Sequence, residues 1–121
     1  MLDVTVILSL WRRPQNLHKQ VEALRNQSFP PKEIWVWAND HVDNENFDFE
    51  DLDVDRVIDC SYNFKFYGRF AIALFADTKF VTIIDDETIP GEMWLQNCLD
   101  TYFKLENEGY PTPILSTAGI N

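Results

Sequence analysis

The chain has 121 residues, 45% hydrophobic and 25% charged, a balance that excludes a disordered chain and leaves room for one domain with one sizeable core. A formal net charge of −10 excludes a nucleic-acid binder, because phosphate contacts need a basic surface, although a bound metal can reverse the field locally for a nucleotide. No apolar run approaches the roughly 20 residues needed to span a bilayer, and the expectation is a cytoplasmic chain with no membrane segment.

Residues 4–10, Val-Thr-Val-Ile-Leu-Ser-Leu, form a short β-branched run that predicts a buried strand. Pro14 stands at a first helical position, and Leu17, Val21 and Leu24 follow at helical spacing until Pro30-Pro31. Ile34–Trp37 predicts a second strand ending at Asn39-Asp40. From Asp40 to Asp55 there are eight acids and no Lys or Arg, which predicts an exposed acidic loop. Its spacing lacks the alternate ligands and central Gly of an EF-hand. Arg56–Asp59 predicts a short third strand. Phe66–Ala76 predicts a helix with Phe66, Phe70 and Leu74 in one stripe. Phe80–Ile84 predicts a buried strand that runs into Asp85-Asp86-Glu87. Pro90 and Gly91 break the chain before a helix over 92–106, with Trp94, Leu95, Cys98 and Leu99 on its apolar side. Pro113 opens a last apolar run, Ile114-Leu115.

Strands alternating with helices predict an α/β fold: a mostly parallel sheet flanked by helices, Rossmann-like, with residues 1–121 as one unit. Cys60 and Cys98 have no zinc or disulfide spacing and read as free, partly buried thiols.

In such a sheet, ligands bind beyond the carboxyl ends of the strands. Three polar clusters fall there: Trp11-Arg12-Arg13, Asn39-Asp40 and Asp85-Asp86-Glu87. Adjacent carboxylates repel, and a hard dication shared with a diphosphate relieves that cost. A solvated turn ahead of a helix explains the same acids, since acids near a helix start are favourable. Arg12, Arg13 and Arg69 suit bidentate phosphate contacts or surface ion pairs. Trp11 can stack on a base, whereas Trp35, Trp37 and Trp94 read as core and His18 and His41 as surface. Asn39 and Asp40 can hydrogen-bond a base or form a turn. No Gly-rich phosphate loop, nucleophile elbow or zinc helix is present.

The order of these stretches resembles the GT-A-fold glycosyltransferases, the family-2-like group in particular. Three stretches carry the resemblance across nearly the whole chain. They are Val4–Leu17, then Leu24–Pro30 with Glu33–Asp40, and then Asn63–Arg69 with Lys79–Pro90, which contains an Asp-x-Asp-like motif. The resemblance implies transfer of a sugar from a nucleoside-diphosphate sugar to a glycan or other hydroxyl acceptor, with Mn²⁺ or Mg²⁺. It implies that Trp11 and Arg13 border the nucleotide, that Asn39 faces the base and that Arg69 approaches the diphosphate. Asp85 and Asp86 would lie near ribose and metal, and Asp86 and Glu87 would hold the metal. Glu87 stands where the family's motif ends in Asp, and Arg12 replaces a frequent Asn. Family domains are longer, so the expectation is the nucleotide-sugar-binding half of an incomplete domain, with the acceptor half and its catalytic base absent. The catalytic residues are therefore unknown. A non-catalytic nucleotide-sugar-binding module is the alternative. A phosphotransfer domain with an early strand-end Asp is disfavoured, because the first strand ends in Ser9-Leu10-Trp11.

Overall fold

A computed structural model describes residues 2–116. Four strands form one all-parallel sheet, β1 (Leu2–Leu10), β2 (Pro31–Ala38), β3 (Arg56–Asp59) and β4 (Phe80–Asp85), in the order β3-β2-β1-β4. The helices are α1 (Leu17–Arg25), α2 (Tyr67–Ala73) and α3 (Trp94–Asn107). The result is a small Rossmann-like α/β arrangement, as the alternation of patterns predicted. The first two strands extend toward the N-terminus of their expected starts, so that Pro31 opens β2 rather than only closing α1.

The period of two along each strand divides the core into two layers. Val4, Val6, Leu8, Leu10, Ile34, Val36 and Ala38 face one side, where Leu17, Val21 and Leu24 of α1 and Leu95 of α3 cover them. Ile7, Trp35 and Trp37 face the other side, against Ile72 and Ala73 of α2. The chain moves from β1 to β2 to β3 in one direction, then returns past both to place β4 on the far side of β1.

The acidic segment differs in one respect from the expected exposed loop. Its eight acids do face solvent, but Leu52 is buried and Phe47, Phe49 and Val54 pack onto the first layer. These apolar side chains alternate with the acids, so the segment acts as a cover for the sheet in the β2–β3 crossover, where a helix would otherwise lie. It also contains a single 3-10 turn at Val42–Asn44.

The expected aromatic stripe of α2 points outward: Phe66, Phe70 and Leu74 are 69%, 63% and 86% exposed. The inward face is the one with small residues. Gly68 is buried with its Cα against the indole of Trp37, and any Cβ there overlaps that ring. The bulk of Trp37 therefore sets which face of α2 can approach the sheet. Ile114-Leu115 joins no strand, and Ile114 is fully exposed. Residues 117–121 of the expected continuation lie outside the described residues. Among the described residues, no helix is long and apolar enough to cross a membrane.

Gly68→Ala is expected to destabilise the fold by about 1–3 kcal/mol, because the added methyl must displace Trp37 or lift α2. Urea unfolding of the variant and the parent chain measures this directly.

Candidate functional site

Register brings the carboxyl ends of the strands to one edge. Leu10 pairs with Ala38, Ala38 with Asp59, and Ser9 with Asp85. The residues after each strand end, Trp11–Arg13, Asn39-Asp40, Cys60-Ser61 and Asp86-Glu87, therefore share one rim. The chain reverses its direction across the sheet between β1 and β4, and that switch point is where open α/β sheets form their ligand crevice.

At this crevice Asp86 is turned inward, only 5% exposed. Its Oδ2 accepts the N–H groups of Trp11, Arg12 and Arg13 at 3.0, 3.0 and 3.1 Å. Consecutive N–H groups aimed at one point make an anion nest, and here the anion is the protein's own carboxylate. The Arg13 guanidinium donates to Oδ1 at 3.1 Å. Burial works to raise the Asp86 pKa, but the donors from Arg12, Trp11 and Arg13 outweigh it and hold the carboxyl below its usual value.

Side-chain amides of the α1 region hold the loop after β4. Asn16 Nδ2 donates to the Asp86 carbonyl at 2.7 Å. Gln20, fully buried, donates to the carbonyls of Asp85 and Thr88 at 2.8 and 2.9 Å. Gln27 donates to the Gly91 carbonyl at 2.6 Å and accepts the Leu95 N–H at 3.0 Å. The loop from β4 to α3 is thus fixed at three points against a helix that is itself packed on the sheet.

Held this way, the acidic triplet is split. Asp85 and Glu87 face solvent, while Asp86 faces the fold. Arg69 of α2, its side chain 12% exposed, forms a close ion pair with Asp85 and lies 5.3 Å from the Phe66 ring. Glu87 makes no hydrogen bond or ion pair within the described residues. Among those residues no group of three or more His, Cys, Asp or Glu side chains is gathered as a ready-made metal cage. Mg²⁺ commonly takes one or two carboxylates and completes its shell with water and phosphate. Asp86, expected as a metal and nucleotide ligand, has both oxygens engaged with the β1 exit turn.

The other residues expected at the site have the following surroundings in the fold. Trp11 is 42% exposed, edge-on to His41 at 5.8 Å, with the Arg12 guanidinium 4.5 Å above its ring. Arg13 is turned to Asp86 rather than to the open rim. Asn39, expected to face a base, is buried and its carboxamide serves the chain: Oδ1 accepts the Phe64 N–H and Nδ2 donates to the Lys65 carbonyl, each at 3.1 Å. These bonds hold Lys65 in a left-handed conformation, φ 56°, at the entry to α2. Arg69, carried by that helix, is therefore positioned through Asn39. Asn44 ties the rim together by donating to the carbonyls of Trp11 and Asn39 at 2.6 and 3.2 Å.

Sequence reasoning alone misses Asn16, Gln20, Gln27 and Asn44. A usable signal exists for three of them. Asn16, Gln20 and Gln27 recur at helical spacing beside Leu17, Val21 and Leu24, and a polar residue on an apolar helix face needs a buried partner. Cys60 and Cys98 are half-buried free thiols, and burial raises the pKa of both.

Asp86→Asn is expected to cost about 2–4 kcal/mol, since an amide keeps the shape but turns an NH₂ toward donors and removes the charge that the nest and Arg13 surround. Because the folded pKa is depressed, this stabilisation is complete above the unfolded value, near 3.8, and is lost as pH falls through the lower folded value. Denaturation curves across pH 7 to 2 should show the gap between parent and variant narrowing only at the acid end. A constant gap would place the effect in packing rather than charge.

Compared with known proteins, the chain matches no family model, no curated protein and no solved structure.

Proposed function

We propose that the chain is the nucleotide-sugar-binding half of a GT-A-type glycosyltransferase, with Asp85 and Glu87 as the carboxylates that hold a divalent metal. One observation carries this reading: two exposed carboxylates flank an inward-turned third at the sheet's switch point, with a positioned arginine beside them. A purely solvated turn has no need for the amide ties that fix its backbone from α1.

Each part then has a chemical role. Asp85 and Glu87 supply hard oxygen donors to Mn²⁺ or Mg²⁺, which when bound neutralises charge developing on a departing diphosphate. Asp86 positions the pair by anchoring the backbone between them. Arg69 balances Asp85 when no donor is present and is free to turn to a diphosphate once a metal replaces it at that carboxylate. Trp11, with one face under Arg12, offers its remaining surface to a base at the rim. No residue is assigned as general base, because that role requires a group within reach of the acceptor hydroxyl and the acceptor site is not located. The acceptor is a glycan or another hydroxyl compound in this reading. A nucleotide-sugar-binding module without turnover shares all of these features up to the transfer step.

Calorimetry with UDP, GDP and TDP, each with Mn²⁺ and with EDTA, tests the proposal. Binding of one nucleotide is expected with Mn²⁺, weakened at least about tenfold, roughly 1.4 kcal/mol, by Glu87→Gln or Asp85→Asn with melting temperature little changed. Equal affinity in EDTA, or in both variants, would reject the metal site. Transfer from a labelled donor separates the enzyme from the binding module.

A further inference from the structure

The outward face of α2 gathers five of the large apolar side chains that the described residues expose. Phe66, Phe70 and Leu74 form one stripe, and Tyr67 and Phe75, 77% and 69% exposed, widen it. The face extends past α2 itself. The Tyr67 N–H donates to the Phe64 carbonyl at its start, and the N–H groups of Leu74, Phe75 and Ala76 each donate three residues back at its end. The helical path therefore runs over residues 64–76, a rod roughly 20 Å long.

The size of this face calls for a partner. At these exposures the five side chains present about 600–700 Å² together. The largest apolar patch of a typical monomer is about 300–600 Å². Each partner in a stable complex contributes about 800 Å². The fold itself turns these side chains outward, because the indole of Trp37 admits only the Gly68 side. Turning α2 about its axis would set a bulky side chain against that ring, so the helix cannot bury the patch in this way.

Charge selects the partner. Residues 60–76 contain no Asp or Glu, although the chain has 20 acids and a net charge of −10. Two copies repel through their acidic surfaces, and this face adds nothing to that repulsion. Its ends carry opposite charge. Lys65 stands at the start and Asp77 just past the end, both exposed, and neither forms an ion pair within the described residues. Antiparallel packing of two such helices sets the Lys65 end of each beside the Asp77 end of the other. The patch is thus complementary to itself under a two-fold axis near Ala71, as an isologous dimer requires. Two facing copies bury about 1,200–1,400 Å², within the range of specific interfaces. We propose that the outward face of α2 is the interface of a symmetric dimer of this chain, with the two α2 helices antiparallel. The proposal does not depend on the transferase reading.

Sedimentation equilibrium of the full chain tests it. A mass twice the 14.2 kDa of one chain is expected, with dissociation in the micromolar range or below. Phe70→Glu/Leu74→Glu places acids in the facing surfaces and should weaken the dimer at least about a hundredfold. Its circular dichroism spectrum should match the parent, since both side chains are exposed. Val42→Glu/Ile114→Glu adds the same charge at exposed apolar positions elsewhere and should leave the dimer intact. Asp77→Lys should weaken the dimer at least about tenfold, and Lys65→Glu/Asp77→Lys should restore it. A mass of 14.2 kDa up to about 100 μM overturns the proposal. So does equal weakening by the two glutamate pairs, which means diffuse repulsion, and so does an unaffected dimer in Phe70→Glu/Leu74→Glu, which means another face. Failure of the charge exchange to restore the dimer overturns the antiparallel arrangement. A monomer that co-sediments with phosphatidylcholine vesicles overturns the proposal in favour of a lipid surface.

Discussion

The Asp86 carboxylate is the interaction on which the rim depends. One oxygen collects three consecutive N–H groups of the turn after β1, and the other meets the Arg13 guanidinium. Left alone, those N–H groups would be orphaned donors at the mouth of a buried strand, and a buried carboxylate would be an uncompensated charge. Together each removes the cost of the other. The bond also spans the switch point, joining the end of β1 to the end of β4 across the place where a parallel sheet is most open.

The path of the chain beyond β4 is a consequence of that tie. With Asp86 facing in, the alternation of the backbone sends Asp85 and Glu87 outward. The amides of Asn16, Gln20 and Gln27 then hold the loop as it passes to α3. On the opposite layer, Asn39 shapes the turn that starts α2, and α2 carries Arg69 to Asp85. The rim is therefore built on positioning groups that are buried and on presenting groups that are exposed. The two sets are interleaved in sequence, which is why adjacent residues such as Asp85 and Asp86 have different work.

Charge is distributed along the rim in the same graded way. Near β1 and β4 the acids are met by Arg13 and Arg69. Toward β2 and β3, Asp40, Glu45 and Asp59 have no such partners among the described residues.

The sequence by itself determined the strands, the order of elements and the edge at which polar residues gather. Those depend on local runs and spacings, such as Val4–Leu10 and Phe80–Ile84, whose β-branched and apolar side chains have few alternatives to a covered strand. It also marked Asp85–Glu87 as one acidic feature. Only the tertiary structure decided which of the three is buried, because that depends on the N–H groups of residues about 75 positions earlier meeting Asp86 across the sheet. The same holds for α2, where helical spacing located an aromatic stripe but the indole of Trp37 admitted only the Gly68 face. Spacing reports which side chains share a face. Which face is turned inward is set by the volume and the unsatisfied donors of a distant segment, and those meet only when the sheet has formed.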